Sequence, residues 1–318
     1  MKQLFEAHKI GGKTLKNRIV VPAMVYSIFR NDGYVAEENI EHYRAIAKSG
    51  AGLIIQEATS VSNTGRMIET QLGIWEDEQV TGLKRIADTV HEEGSTVVIQ
   101  LHHAGLMSVD GVRDCPSDFS VPVMFTLAMN GKEMTPHTLE QVKQQFISAG
   151  RRAYEAGYDG IELHGADGYL ISQFFSTNVN KRTDSYGSQP GQFALEILKE
   201  IRVITSDSFI IGIRLGGFEP TLEKSTEYAK LLEPYTDYFN ISSGFFMNSS
   251  SKPSKPEDYP FSENVYAAEI IKKAVRKPVF AVDEITDLQM METILEQTNT
   301  DMVSIGYGLQ VLSKNNQK

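Results

Sequence analysis

The sequence predicts an α/β protein of the (β/α)8 TIM barrel class, and three observations carry that expectation. Short β-branched runs alternate with long stretches of helical period, eight such runs fit along the chain, and polar side chains recur where the runs end. Eight strand-then-helix units close into a parallel barrel whose active site lies at the strands' C-terminal ends.

In chain order the expected strands cover residues 18–22, 53–58, 96–102, 160–164, 209–215, 238–242, 279–283 and 302–306. Their sequences, RIVVP, LIIQEA, TVVIQLH, GIELH, FIIGIRL, YFNIS, VFAVD and MVSIG, are nearly continuous in apolar residues, the pattern of strands covered on both faces. The segments between them are amphipathic. Residues 139–155 show this best, with Thr138 and Gln141 at capping-box spacing and Gly157 where a C-terminal glycine cap belongs. Two insertions break the rhythm: residues 104–136 after the third strand, and the Ser-, Lys- and Pro-rich residues 248–261 after the sixth. Both are expected to lie over the barrel mouth as lids or walls, without assigned regular structure.

A chain of 318 residues with 41% hydrophobic and 23% charged residues can bury a large core. Residues 1–318 are therefore expected to form a single domain, with its last helix short or truncated, that buries roughly three quarters of its unfolded surface. Cys115 is the one cysteine, so no internal disulfide can form, and no apolar run reaches the length of a membrane span or signal-peptide core. A cytoplasmic location without membrane attachment is expected. The net charge of −10 argues against a nucleic-acid binder and for a small-molecule ligand.

The densest chemistry lies in HGADGYLISQFFSTNVNKRTDSYG, residues 164–187. GIELHG reads as a buried strand ending in His164, and Asp167 and Tyr169 follow within five residues, so this is a site at a strand end. Gln100 and His102 close the third strand, Arg214 sits in the fifth between Ile213 and Leu215, and Gly306 closes the eighth. A buried arginine demands an anionic partner. Position alone leaves two readings open: a bound ligand, or an ion pair with Glu57 or Glu162. His102 and His103 are adjacent in a strand and point to opposite faces, so no shared metal site is expected.

LKNRIVVPAM (residues 15–24), IIQEA (54–58), VIQLHHAG (98–105), the 164–187 stretch and IGIRL (211–215) together resemble the Old Yellow Enzyme family of FMN-dependent ene-reductases and NADH:flavin oxidoreductases. The resemblance covers most of the chain. It implies FMN as cofactor, NADH or NADPH as reductant, and hydride transfer through the flavin to an activated alkene or similar electrophile. Pro22, Ala23 and Met24 correspond to the segment lining the flavin, Ala58 and Gln100 to positions against its ring, and Arg214 to the arginine that stabilises the reduced anion. His164 corresponds to the donor to a substrate carbonyl, Tyr169 to the proton donor, and Tyr26 to a tyrosine shaping the substrate pocket. Relatives of this kind also imply a homo-oligomer.

Several positions depart from the pattern. Asp167 replaces the second carbonyl donor; it is expected to be protonated, to pair with His164, or to mark a different substrate. At the phosphate grip, AVDEIT (281–286) and SIGYGL (304–309) place Asp283 where the family has glycine and Tyr307 where it has arginine, while Gly306 is kept. A carboxylate beside a phosphate and a lost arginine both weaken FMN binding, with Lys252 or Lys255 as candidate compensation. Met24 replaces a Cys or Thr donor, and Leu106 an arginine. The alternative reading is a degenerate barrel with weak or no FMN binding, acting as a ligand-binding or regulatory module. A Schiff-base aldolase lacks a lysine at any expected strand end.

Overall fold

The structure is a computed structural model and describes residues 2–109, 113–124, 127–243 and 254–306. All eight expected strands are present: β1 (Ile19–Val21), β2 (Leu53–Ser60), β3 (Thr96–His102), β4 (Gly160–Gly165), β5 (Ile210–Gly216), β6 (Tyr238–Ser242), β7 (Val279–Ala281) and β8 (Met302–Ser304). They pair in parallel in sequence order, and β8 returns to β1 to close the barrel. Three strands stop short of their expected ends, and β2, β4 and β5 run one or two residues past theirs. β1 stops before Pro22, which has no N–H to give the ladder, and β7 stops before Asp283, whose φ of 95° departs from extended backbone. β8 ends at Ser304, two residues before Gly306.

The helices are α1 (Glu37–Ala47), α2 (Val80–Glu92), α3 (Pro136–Glu155), α4 (Leu170–Phe175), α5 (Ser185–Ser188), α6 (Gln192–Ile204), α7 (Leu222–Leu232), α8 (Glu263–Ala274) and α9 (Leu288–Gln297). α3 begins three residues earlier than its apolar period indicated. Thr135 is the actual cap, its side chain accepting from Thr138 N at 3.1 Å, and Pro136 fills the first turn, where no N–H is needed. Its far end is as expected, with Gly157 at φ 82° just past the cap.

Strand alternation splits the core in two. Ile54, Val97, Ile99, Ile161 and Ile213 face outward and pack with helix residues such as Leu83, Ile86, Phe146 and Ile197. Val20, Leu53, Ile55, Val98, Ile210, Tyr238, Phe280 and Met302 face inward and fill the barrel's lower half. Ile10 and Leu15 join that inner cluster from a hairpin of His8–Ile10 and Lys13–Leu15, which plugs the barrel floor. Gly212 serves the same interior: a Cβ there would run into the Tyr238 ring.

The insertion after β3 has regular structure that the sequence did not reveal. Asp114–Cys115, Phe119–Met124 and Leu127–Glu133 form a three-stranded sheet. It packs on the segment following α4, where Arg182 Nη1 donates to the carbonyls of Pro116 and Met134 at 2.9 and 2.8 Å. Residues 248–253 of the second insertion, which include Lys252, lie outside the described residues, as do Tyr307 and the last expected helix. No helix of the described residues is long and apolar enough to cross a membrane.

Candidate functional site

The alternation that makes Val98 and Ile210 inner residues also turns Gln100, His102, Glu162, His164, Arg214, Asn240, Ser242 and Ser304 toward the barrel axis. Parallel register sets their height, with Gln100 level with Glu162, and His164 level with Arg214 and Asn240. The lower tier is a closed network. Glu162, fully buried, accepts from Gln100 Nε2 at 2.7 Å, Asn240 Nδ2 at 3.0 Å and the Tyr238 hydroxyl at 3.1 Å. Burial pushes its carboxyl up, and the nearby Arg214 charge together with these donors opposes that.

The upper tier converges on Asp167. This residue follows β4 with φ 58°, a left-handed conformation that aspartate tolerates better than most side chains, and its N–H donates to Ser243 O at 3.0 Å. Its Oδ2 accepts from His164 Nε2 and Arg214 Nε, both at 3.1 Å, and its Oδ1 accepts from the Ser242 hydroxyl at 3.0 Å. Ser242 Oγ in turn accepts from Arg214 Nη2 at 2.7 Å. Burial alone would raise the Asp167 carboxyl, but Arg214, His164 and Ser242 outweigh it and hold it at about 2. The protonated reading of Asp167 is therefore set aside. Neither Glu57 nor Glu162 is the ion-pair partner of Arg214: Asp167 is, and Glu162 bonds to Gln100, Tyr238 and Asn240 instead.

An ionised carboxylate only accepts, so His164 Nε2 carries a proton and donates to it. The other ring nitrogen, Nδ1, faces His102 Nδ1 at 2.9 Å, one donating to the other. His102 is fully buried, and desolvation together with the His164 and His103 charges drives its pKa far down, so its ring is neutral. Both nitrogens of His164 are thus committed within the protein. A substrate oxygen reaches its N–H only by displacing the Asp167 carboxylate.

Tyr169 caps this cluster, its ring edge-on to His102 at 4.4 Å and tilted against His164 at 4.9 Å. Its hydroxyl donates to the Met67 thioether at 3.1 Å. Burial and then the Asp167 charge raise its pKa, so the phenol keeps its proton at neutral pH, held only by a weak acceptor.

Beside the cluster opens a cavity of about 690 Å³ at the C-terminal end of the barrel, lined by Pro22, Ala23, Met24, Arg214, Asp283, Ser304 and Gly306 among others. Its wall after β1 is pinned by Glu57, a buried carboxylate that accepts from the N–H groups of Tyr26 and Ser27 at 3.0 Å each. Of the sequence-derived flavin contacts, Pro22, Ala23, Met24, Arg214, Asp283 and Gly306 line this cavity, whereas Ala58 and Gln100 are buried and are not among its lining residues. Tyr26 does not line it either: its ring is stacked on His42 of α1 at 3.7 Å and is 45% exposed. Ser242, Ser304 and Met67 are site residues the sequence did not pick out; His102, set among the strand-end polar residues, lies against His164.

The ring end of the cavity suits an isoalloxazine: its walls are partly apolar, and Arg214 Nη1 is a buried donor without a protein partner. The described residues of the opposite end do not suit a phosphate. There the charged lining residues are Asp283 and Glu284, and among the described residues Arg214 is the sole cation lining the cavity. No cluster able to hold a metal ion occurs among the described residues.

Residues 3–312 match the model of the NADH:flavin oxidoreductase / NADH oxidase family. The chain is 35% identical over 323 residues to an NADH oxidase of Thermoanaerobacter brockii, covering 96% of this chain but 49% of that one, so it spans about half that relative's length. It is 38% identical over 309 residues to an NADPH dehydrogenase of Geobacillus sp. (strain WCH70), with 94% and 88% of the two chains covered. Among solved structures, a 2-naphthoyl-CoA reductase in complex with 2-naphthoyl-CoA superposes with a TM-score of 0.83 at 26% identity, over 96% of this chain and 50% of that one. An old yellow enzyme homologue from Zymomonas mobilis shares the fold, with a TM-score of 0.80 at 24% identity over 95% and 88% of the two chains. The chain thus belongs to the NADH:flavin oxidoreductase / NADH oxidase family, the Old Yellow Enzyme group of flavin-dependent NAD(P)H oxidoreductases.

Proposed function

We propose that this chain is a single-domain, flavin-dependent NAD(P)H oxidoreductase that reduces an activated alkene or a related small electrophile. The observation that carries the reading is the cavity at the barrel mouth, where the unpartnered Arg214 Nη1 adjoins the His164–Asp167–Tyr169 cluster. A flavin bound there supplies hydride acceptance from NAD(P)H and hydride donation to the electrophile.

The chain's own residues then have separable tasks. Arg214, fixed by Asp167 and Ser242, offers its free Nη1 to an electron-rich acceptor of the ring. His164 offers Nε2–H to a carbonyl oxygen on which negative charge develops, once that oxygen has taken the place of the Asp167 carboxylate. A neutral oxygen competes poorly with a carboxylate, so substrates that enter with charge already accumulating on oxygen are favoured. Tyr169 holds a proton at its hydroxyl for delivery to carbon. The excess of negative charge and the single buried cysteine accord with a cytoplasmic enzyme of small-molecule metabolism. A homo-oligomer belongs to the same proposal.

The test is reconstitution. Flavin-free protein mixed with flavin and then separated from unbound flavin by gel filtration should remain yellow, absorb at about 450 nm, and oxidise NADH or NADPH when cyclohexenone is supplied. Protein that emerges from that column colourless and leaves NAD(P)H unoxidised with flavin present overturns the reading.

A further inference from the structure

We propose that the mouth cavity binds its flavin by the ring and the hydroxylated ribityl chain and discriminates against a terminal phosphate, so that riboflavin binds more tightly than FMN. The proposal rests on the flavin reading above and concerns the end of the cavity at β7 and β8. In barrels of this class a phosphate is gripped by the loops after the seventh and eighth strands, through backbone N–H groups and cations. Here that end is lined by Val282, Asp283, Glu284, Ile285 and Thr286 after β7, and by Ser304 and Gly306 at β8. Two carboxylates stand where a dianion would lie.

Among the described residues that line the cavity, no cation at this end neutralises them. The Asp283 carboxylate accepts from Asn264 Nδ2 at 3.2 Å, and the charges that act on it are those of Glu284 and Glu263. Arg214, the sole cation among the described lining residues, already pairs with Asp167 at the ring end. The space beside Gly306 is also taken: a Cβ there would meet Met24 Sδ at 2.9 Å, and a thioether donates no hydrogen bond.

What this end offers is acceptors and a hydroxyl. Carboxylates accept from alcohols, and a phosphate monoester at neutral pH is mostly a dianion that only accepts, whereas each ribityl hydroxyl has a proton to give. Ser304 points the same way. It is 1% exposed, lines the cavity, and its Oγ has no protein partner, so a polyol can satisfy it as donor or acceptor.

Riboflavin and FMN share ring and ribityl chain and differ only in the phosphate, so their affinities for the full-length, flavin-free protein isolate the effect. Titrations followed by flavin fluorescence should give riboflavin a Kd at least about tenfold below that of FMN at low ionic strength. Raising NaCl from about 50 to about 500 mM screens like-charge repulsion and should tighten FMN but not riboflavin. Asp283→Gly, in which glycine takes the φ of 95° without strain, should shift the ratio toward FMN by about tenfold. Asp283→Asn, which also tolerates that backbone, should move it the same way. Equal or tighter binding of FMN by the parent protein, or a ratio unmoved by both variants, overturns the proposal while leaving a flavin site in place. Binding of neither flavin overturns the flavin reading and this proposal together.

Discussion

Replacing Asp167 by Asn tests the hub of the site by stability alone, without any bound flavin. The carboxyl moves from 3.8 in the unfolded chain to about 2 in the folded protein, held down chiefly by Arg214 against the opposing effect of burial. At about 1.4 kcal/mol per decade, this is worth about 2 kcal/mol of folding free energy at neutral pH. The sign follows from the direction: a folded value below the unfolded one stabilises above pH 3.8 and is lost as pH falls through about 2. About half of it is gone by pH 3, by the same linkage. Urea unfolding followed through Trp75, the single tryptophan, gives the readout. Asp167→Asn should be less stable than the parent by about 2 kcal/mol at pH 7, and the gap should shrink to about 1 kcal/mol at pH 3. A gap of equal size at both pH values would mean that the carboxylate is not ionised against Arg214, and the account of the upper tier would fail.

Other outcomes follow from single side chains. Tyr169→Phe removes a hydroxyl whose partner is a thioether, so unfolding should change by less than about 0.5 kcal/mol while turnover falls by about 10²- to 10⁴-fold with flavin binding intact. Loss of flavin binding together with turnover would assign the ring a structural role instead. Cys115 is buried, and burial pushes its thiol up to about 12, so iodoacetamide at pH 8 should leave it unlabelled in native protein and label it in urea. Rapid labelling of the native protein would contradict its burial within the inserted sheet, against Leu106, Val121 and Val179.

The barrel was legible because strands covered on both faces write themselves as apolar runs, and each of the eight runs became a strand. Their ends were less legible, since they depend on single residues: Pro22 withholds an N–H, and Asp283 leaves extended backbone. The start of α3 was missed for a similar reason, because the capping Thr135 and Pro136 precede the first apolar residue of the helix. The three-stranded sheet after β3 has no comparable signal: FSVPVM and LAMNGKE carry serine, proline, asparagine and glycine in place of a continuous apolar run, and the Arg182 bonds to the carbonyls of Pro116 and Met134 come from a segment distant in sequence. In the site, His164, Asp167 and Tyr169 were visible because they are neighbours in sequence. The pairing of Asp167 with Arg214 was not, since 47 residues separate them and only strand register brings them level.

That pairing has a consequence for catalysis as well as for stability. An arginine beside the ring stabilises an anion through its net charge, but Arg214 and Asp167 together carry none. What remains is the local direction of the guanidinium dipole, since Nε and Nη2 are spent on Asp167 and Ser242 and only Nη1 is left to point at an acceptor. The same carboxylate holds the His164 N–H that the proposed reaction offers to a substrate oxygen. One side chain therefore weakens both anion-stabilising devices of the site unless a substrate or cofactor draws it away. Its partners at 3.0 to 3.1 Å are all exposed to that competition at once. An acceptor that takes His164 also frees part of Arg214, so substrate binding and stabilisation of negative charge at the ring rise together rather than independently.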